Sequence, residues 1–133
     1  MIRGLAHVCF TVSDLKRAEA FYGGALGLKV AFEFLNNEGR RTGLYLKAGP
    51  RCFIELFEGK PVAAPQGISF RHICLEVSDI NAVVRDLRQR GIKVGDVSLG
   101  KDQSYQAWLS DPDGNAIELH HYTPQSWQAP HLD

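Results

Sequence analysis

The stretch His7-Val-Cys-Phe-Thr-Val-Ser-Asp-Leu15 returns later in the chain as His72-Ile-Cys-Leu-Glu-Val-Ser-Asp-Ile80, and this echo decides the fold. Five of the nine positions are identical, and three more exchange one apolar side chain for another. Gly27-Leu-Lys-Val30 is answered by Gly91-Ile-Lys-Val94, and Ile54-Glu-Leu56 by Ile117-Glu-Leu119. Corresponding points lie 65, 64 and 63 residues apart (72−7, 91−27, 118−55), a drift that single-residue differences in loop length explain. The chain is two copies of one module.

Each copy reads as strand, helix and further strands. His7 to Val12 alternates with the period of two of a strand, Ser13-Asp14 offers an N-cap, an amphipathic stretch runs from Leu15 toward Leu26, and Gly27 stops it. Lys29 to Phe34, Arg41 to Lys47 and Arg51 to Phe57 read as strands, parted by turns at Asn36-Asn37-Glu38-Gly39 and Ala48-Gly49-Pro50. The second copy predicts strands over Phe70 to Val77, Lys93 to Leu99, Tyr105 to Ser110 and Asn115 to Tyr122, a helix over Ile80 to Arg90, and a hairpin turn at Asp111-Pro-Asp-Gly114. The expected class is α+β, with two βαβββ modules in a single domain. Module one spans 4–58, a linker rich in Pro and Ala spans 59–68, module two spans 69–122, and a tail over 123–133 lies against the domain or a partner through Trp127.

Composition narrows the function. At 133 residues and 14.8 kDa the chain buries a core without disulfides or structural metal. Fifteen basic and fifteen acidic side chains cancel, which leaves no electrostatic footprint for nucleic acid or an anionic membrane. No stretch approaches the roughly 18 consecutive apolar residues of a membrane span, and MIRGLAHVCF lacks a signal-peptide pattern, so the expected location is the cytoplasm and the expected partner a small molecule. Cys9, Cys52 and Cys74 are odd in number, show no CxxC spacing, and sit in apolar runs that predict buried free thiols.

Against this apolar background four polar residues stand out. Residues two apart share a strand face, so His7 goes with Cys9 and Thr11, Glu55 with Phe53 and Phe57, His72 with Cys74 and Glu76, and Glu118 with Ala116 and His120. Glu55 in Cys-Phe-Ile-Glu-Leu-Phe and Glu118 in Ala-Ile-Glu-Leu have neighbours that favour burial, and a buried carboxylate demands a partner, for which a metal serves. Singly, a strand histidine is usually a hydrogen-bonded core or surface residue, and a strand glutamate usually faces water. The coincidence of both types at equivalent positions in both copies is different, because packing has no need to retain polar residues. His7, Glu55, His72 and Glu118 form an N2O2 set suited to one divalent Zn, Ni, Co, Mn or Fe(II).

The His-bearing first strand, Phe21-Tyr22, Leu26-Gly27-Leu28, Ile54-Glu55-Leu56, the His72 strand and Asp111-Pro-Asp-Gly-Asn-Ala-Ile-Glu118-Leu together resemble the vicinal oxygen chelate superfamily, and within it glyoxalase I and its small relatives. The resemblance covers the chain through Tyr122. It implies that the modules form a curved, half-open mixed sheet around one metal site, commonly in a homodimer, with His7, Glu55, His72 and Glu118 as ligands and Glu118 as general base. The implied reaction is a metal-assisted isomerisation, in which a proton alpha to a carbonyl is removed and returned to the neighbouring carbon. Glyoxalase I carries an arginine four residues after its first metal histidine and an asparagine four after its first metal glutamate, both contacting glutathione. Here these positions are Thr11 and Gly59, so the glutathione contacts are not carried over. Thr11, Phe57, Arg71, Lys101, Tyr105, Trp108 and His120 are the candidate substrate contacts. Five of them have a plainer alternative: solvated charges at Arg71 and Lys101, core aromatics at Tyr105 and Trp108, a surface edge at His120. The alternative functions are a noncatalytic drug- or small-ligand-binding resistance protein of the same fold, and a small dioxygenase-like member.

Overall fold

The repeated strand pattern folds into two units, Met1–Ala63 and Ala64–Asp133, and the computed structural model describes residues 1, 3–61 and 69–132. The first unit runs β1 (His7–Val12), α1 (Leu15–Glu19), β2 (Lys29–Leu35), β3 (Arg41–Lys47) and β4 (Phe53–Glu58). Its sheet has the order β1-β4-β3-β2, with β1 parallel to β4 and the remaining pairs antiparallel. Asp14 caps α1 by accepting from the Arg17 amide at 2.9 Å, as the Ser-Asp pair predicts.

The expected helix to Leu26 does form, but from Ala20 to Ala25 it widens into a π-helical turn, closed by Leu26 N donating to the Phe21 carbonyl at 2.9 Å. The wider turn lets the adjacent Phe21 and Tyr22 both reach the core, their rings meeting edge to face at 5.1 Å. Gly27 ends the helix at φ +72°, a conformation that needs no Cβ.

Alternation then sorts the sheet. Val12, Leu44, Leu46, Ile54 and Leu56 are buried on the face toward α1. His7, Cys9, Thr11, Tyr45, Phe53, Glu55 and Phe57 share the other, more open face. Five aromatic rings gather there: Phe32 stacks on Tyr45 at 4.6 Å, Tyr45 lies 5.0 Å from Phe53, and Phe34 lies 4.9 Å from Phe57.

The second unit runs β5 (Ile73–Glu76), α2 (Ile80–Gln89), β6 (Ser98–Leu99), β7 (Tyr105–Ser110) and β8 (Ala116–His121), in the order β5-β8-β7-β6 with β5 parallel to β8. Asp79 caps α2 through the Ala82 amide at 2.9 Å, as Asp14 caps α1. Ile80, Val84 and Leu87 of α2 are buried together with Ala107, Leu109, Ile117 and Leu119 of the sheet. No helix among the described residues is long and apolar enough to cross a membrane.

Several expectations need correction. The strand over Lys93 to Leu99 shrinks to a bridge between Val94 and Leu109 and the two residues of β6. Arg88 Nη2 donates to the carbonyls of Val94 and Gly95, both at 3.0 Å, and so takes acceptors a strand ladder would use. The strand expected from Phe70 begins at Ile73, which leaves His72 just ahead of it. Cys9 and Cys74 are exposed rather than buried, because alternation puts them on the open faces. Of the linker 59–68, positions 62–68 lie outside the described residues.

The tail is held by polar contacts, and Trp127, expected to anchor it, is 60% exposed. Ser126, buried, shares a 2.8 Å hydrogen bond with Ser104, Thr123 Oγ1 donates to the Gln103 carbonyl at 2.8 Å, and Gln128 Nε2 donates to Asp102 Oδ2 at 2.7 Å. Together they fix the 100–104 turn, in which Gln103 adopts φ +66°. The Gln128 bond, aided by the Ser104 amide, holds the Asp102 carboxyl below the usual carboxylate range.

Two predictions follow from this packing. A Cβ at Gly43 would stand 2.7 Å from Phe57 Cδ1 and 2.8 Å from the Leu56 carbonyl oxygen, whereas one at Gly24 meets nothing within 4 Å. Gly43→Ala is therefore expected to lose about 1–3 kcal/mol in urea unfolding. Gly24→Ala should leave stability unchanged or raise it by up to about 1 kcal/mol. Equal midpoints would mean that both the Phe57 ring and the β4 backbone at Leu56 give way without cost. Because the Asp102 pKa is lowered in the fold, its contribution is present above the unfolded value of about 3.9 and is lost as pH falls through the folded one. Asp102→Asn should unfold at lower urea than wild type at pH 7, with the gap closing on acidification below pH ~4. A gap constant across that range would remove Asp102 as the titrating group.

Candidate metal centre

In the first unit, β1 and β4 run side by side with Cys9 opposite Glu55 and His7 opposite Phe53. His7 Nε2 comes within 3.5 Å of Glu55 Oε2, the two side chains being 43% and 16% exposed. Tyr45, the register partner of Glu55 on β3, brings its hydroxyl to His7 Nδ1 at 3.0 Å. That bond occupies Nδ1 and leaves Nε2 turned toward the carboxylate. Cys9 is held protonated above the usual thiol range, first by desolvation of its sulfur and then by the neighbouring Glu55.

The second unit repeats the arrangement with different neighbours. His72 Nε2 lies 3.1 Å from Glu118 Oε2, at exposures of 33% and 12%. Trp108 stands where Tyr45 stands, ten residues before its glutamate (118−108, 55−45), and its ring meets His72 edge to face at 4.7 Å. The second oxygen of Glu118, Oε1, is 3.1 Å from His120 Nδ1. Cys74, opposite Glu118 in register, has its thiol pushed up to about 12 by desolvation and then by the Glu118 charge. Donor atoms of Cys74, Glu118 and His120 all lie within 4.8 Å of one another.

The donor chemistry fits a divalent cation. Each unit turns an imidazole nitrogen and a carboxylate oxygen toward each other on its open sheet face, and at His7 the remaining ring nitrogen is already engaged, as a ligating histidine requires.

The remaining expected contacts divide. Thr11 is exposed on the His7 face, opposite Phe57, and Gly59 passes so close that a Cβ there would be 3.0 Å from Thr11 Cγ2. Arg71 is exposed one residue before His72, and Lys101 is exposed in the 100–104 turn. Trp108 is 40% exposed beside His72, so it is no core aromatic. Tyr105, also exposed, falls on the opposite face of β7 from Trp108 and packs its ring against His121, so it is not brought to Glu118. His120 is no surface edge, being only 8% exposed. Tyr45 and Asp102 escaped the sequence reading. The ten-residue offset shared by Tyr45 and Trp108 was the signal for the first, while nothing in the sequence links Asp102 to His120.

Comparison with known proteins places the chain in a family. Residues 4–119 match the Glyoxalase/Bleomycin resistance protein/Dioxygenase superfamily. The chain is 32% identical over 123 residues to a lactoylglutathione lyase of Salmonella typhimurium, covering 86% of this chain and 90% of the relative. It is 27% identical over 123 residues to glutathione transferase FosA of Serratia marcescens, covering 90% and 82%. Among solved structures, TnmS3, an antibiotic binding protein from Streptomyces sp. CB03234, superposes with a TM-score of 0.75 at 28% identity, covering 92% of this chain and 98% of that one. With two βαβββ units and a match over residues 4–119, the chain belongs to the Glyoxalase/Bleomycin resistance protein/Dioxygenase superfamily.

Proposed function

We propose that this protein is a metal-dependent enzyme of the glyoxalase I kind, a cytoplasmic homodimer that moves a proton next to a carbonyl in a small alpha-oxygenated substrate. The observation that carries the reading is the repeated His–Glu contact, His7 with Glu55 at 3.5 Å and His72 with Glu118 at 3.1 Å. These four residues are the proposed ligands of one divalent ion, Zn, Ni, Co, Mn or Fe(II). The low exposure of both carboxylates supports this, since a carboxylate withdrawn from water calls for a cation. When bound, the ion supplies Lewis-acid polarisation of a substrate oxygen.

The chain's own residues do the rest. Tyr45 orients His7 through Nδ1. Glu118 is the proposed general base: it takes the proton from the carbon alpha to the carbonyl and returns it to the adjacent carbon, so atoms balance as an isomerisation. Thr11 and Phe57 beside His7 and Glu55, and Arg71 and Trp108 beside His72, are the proposed substrate contacts, with Lys101 from the neighbouring turn. Thr11 and Gly59 occupy the places of the glutathione contacts, which favours a small hydroxycarbonyl compound over a glutathione hemithioacetal.

Elemental analysis of protein offered Ni, Zn, Mn and Fe(II) should find about one ion per chain, lost in His7→Ala and in Glu55→Gln. Turnover on hydroxycarbonyl substrates should fall about 10²–10⁴-fold in Glu118→Gln, with substrate affinity changing far less. Survival of both metal content and activity in that variant would remove Glu118 from its role.

A noncatalytic small-ligand-binding protein is the second reading. It is favoured by the open aromatic face around Tyr45 and by the similarity to an antibiotic binding protein. Tight binding of bleomycin by metal-free protein, followed by tryptophan fluorescence, together with no metal uptake would favour it over the enzyme.

A further inference from the structure

We infer that His120 is a positioning residue for Glu118: its Nδ1–H, 3.1 Å from Oε1, holds that oxygen and leaves Oε2, 3.1 Å from His72 Nε2, as the one presented to metal and substrate. The inference rests on the metal-site reading above and adds to it a residue that ligates nothing. A carboxylate only accepts hydrogen bonds, so it is Nδ1 that carries the hydrogen.

The repeat supplies the strongest argument. Position 120 corresponds to position 57 of the first module, at the same 63-residue offset that relates Glu118 to Glu55, and there the residue is Phe57. There a hydrocarbon ring lies over Gly43, whereas His120 faces Gln106. At 8% exposure, and with Nε2 lacking any hydrogen-bond partner among the described residues, a histidine is the less favourable filler of the two. The bond to Glu118 is the polar contact that the ring makes at this buried place. The asymmetry also separates the two carboxylates, because position 57 has no donor to offer Glu55.

Two further groups flank the ring. Tyr122 packs against it edge to face, with centroids 4.8 Å apart and planes at 70°. Behind it, Asp102 Oδ2 stands 3.7 Å from Nε2 and is itself held by Gln128 Nε2 at 2.7 Å. A sequence of contacts thus runs from the tail through Asp102 and His120 to Glu118, with His120 on the same sheet face as the carboxylate it holds.

The test uses wild type, His120→Phe and His120→Asn, each loaded with zinc and titrated against a chromogenic chelator. His120→Phe, which removes the donor, should bind zinc about 10- to 100-fold more weakly. His120→Asn, whose amide N–H substitutes for Nδ1–H, should recover affinity to within a few-fold of wild type. Zinc affinity in His120→Phe equal to wild type would sink the inference while leaving the metal site intact. Failure of His120→Asn to improve on His120→Phe would also overturn it, by making His120 a ligand or a packing residue. A wild type that takes up no metal would overturn both readings. Should His120→Phe not fold, nitrogen NMR of metal-free wild type decides: a protected Nδ1–H on His120 that disappears in Glu118→Ala supports the role, and its absence from wild type refutes it.

Discussion

Two carboxylates set into apolar strands are the constraint on which the rest of this structure turns. Glu55 lies between Ile54 and Leu56, and Glu118 between Ile117 and Leu119, and all four neighbours are buried against helices. Strand alternation puts each glutamate on the opposite, open face, but mostly out of water, where a lone negative charge is unfavourable. What surrounds each is a set of groups suited to that charge: a histidine across the parallel strand pair, a thiol kept protonated, and in the second unit a further histidine. The parallel pairing of β1 with β4 and of β5 with β8 is what makes these meetings possible, since it brings the start of each module beside its end.

The two modules share a backbone plan and differ in how they use it. Tyr45 and Trp108 occupy one position, yet Tyr45 bonds to its histidine while Trp108 packs edge-on. Phe57 and His120 occupy another, one joining an aromatic group and the other a polar contact sequence to the tail. A duplicated fold keeps its caps and its core, as Asp14 and Asp79 show. It is free to diverge where side chains face outward, and chemistry there separates one glutamate from the other.

Much of this was legible in the chain. The repeat announced two βαβββ units, and alternation, caps and turn residues placed six of the eight strands close to their observed limits. The clearest failure, over Lys93 to Leu99, came from Arg88, whose guanidinium takes backbone carbonyls several residues away; strand propensity carries no information about such a competitor. The thiols were misjudged for a related reason: an apolar run in a strand has two faces, and which neighbours a residue keeps depends on the face.

The sequence by itself determined the period of the repeat, the fold class and the four residues whose polarity packing could not explain, because these are properties of local pattern and of recurrence along the chain. Only the tertiary structure decided that Tyr45 reaches His7, that Tyr105 turns away, and that Asp102 and Gln128 stand behind His120. Those contacts join residues far apart in the chain, through register and through a tail without periodicity. Hydrogen bonds of that kind depend on positions in space to within a few tenths of an ångström, which no spacing along a sequence encodes.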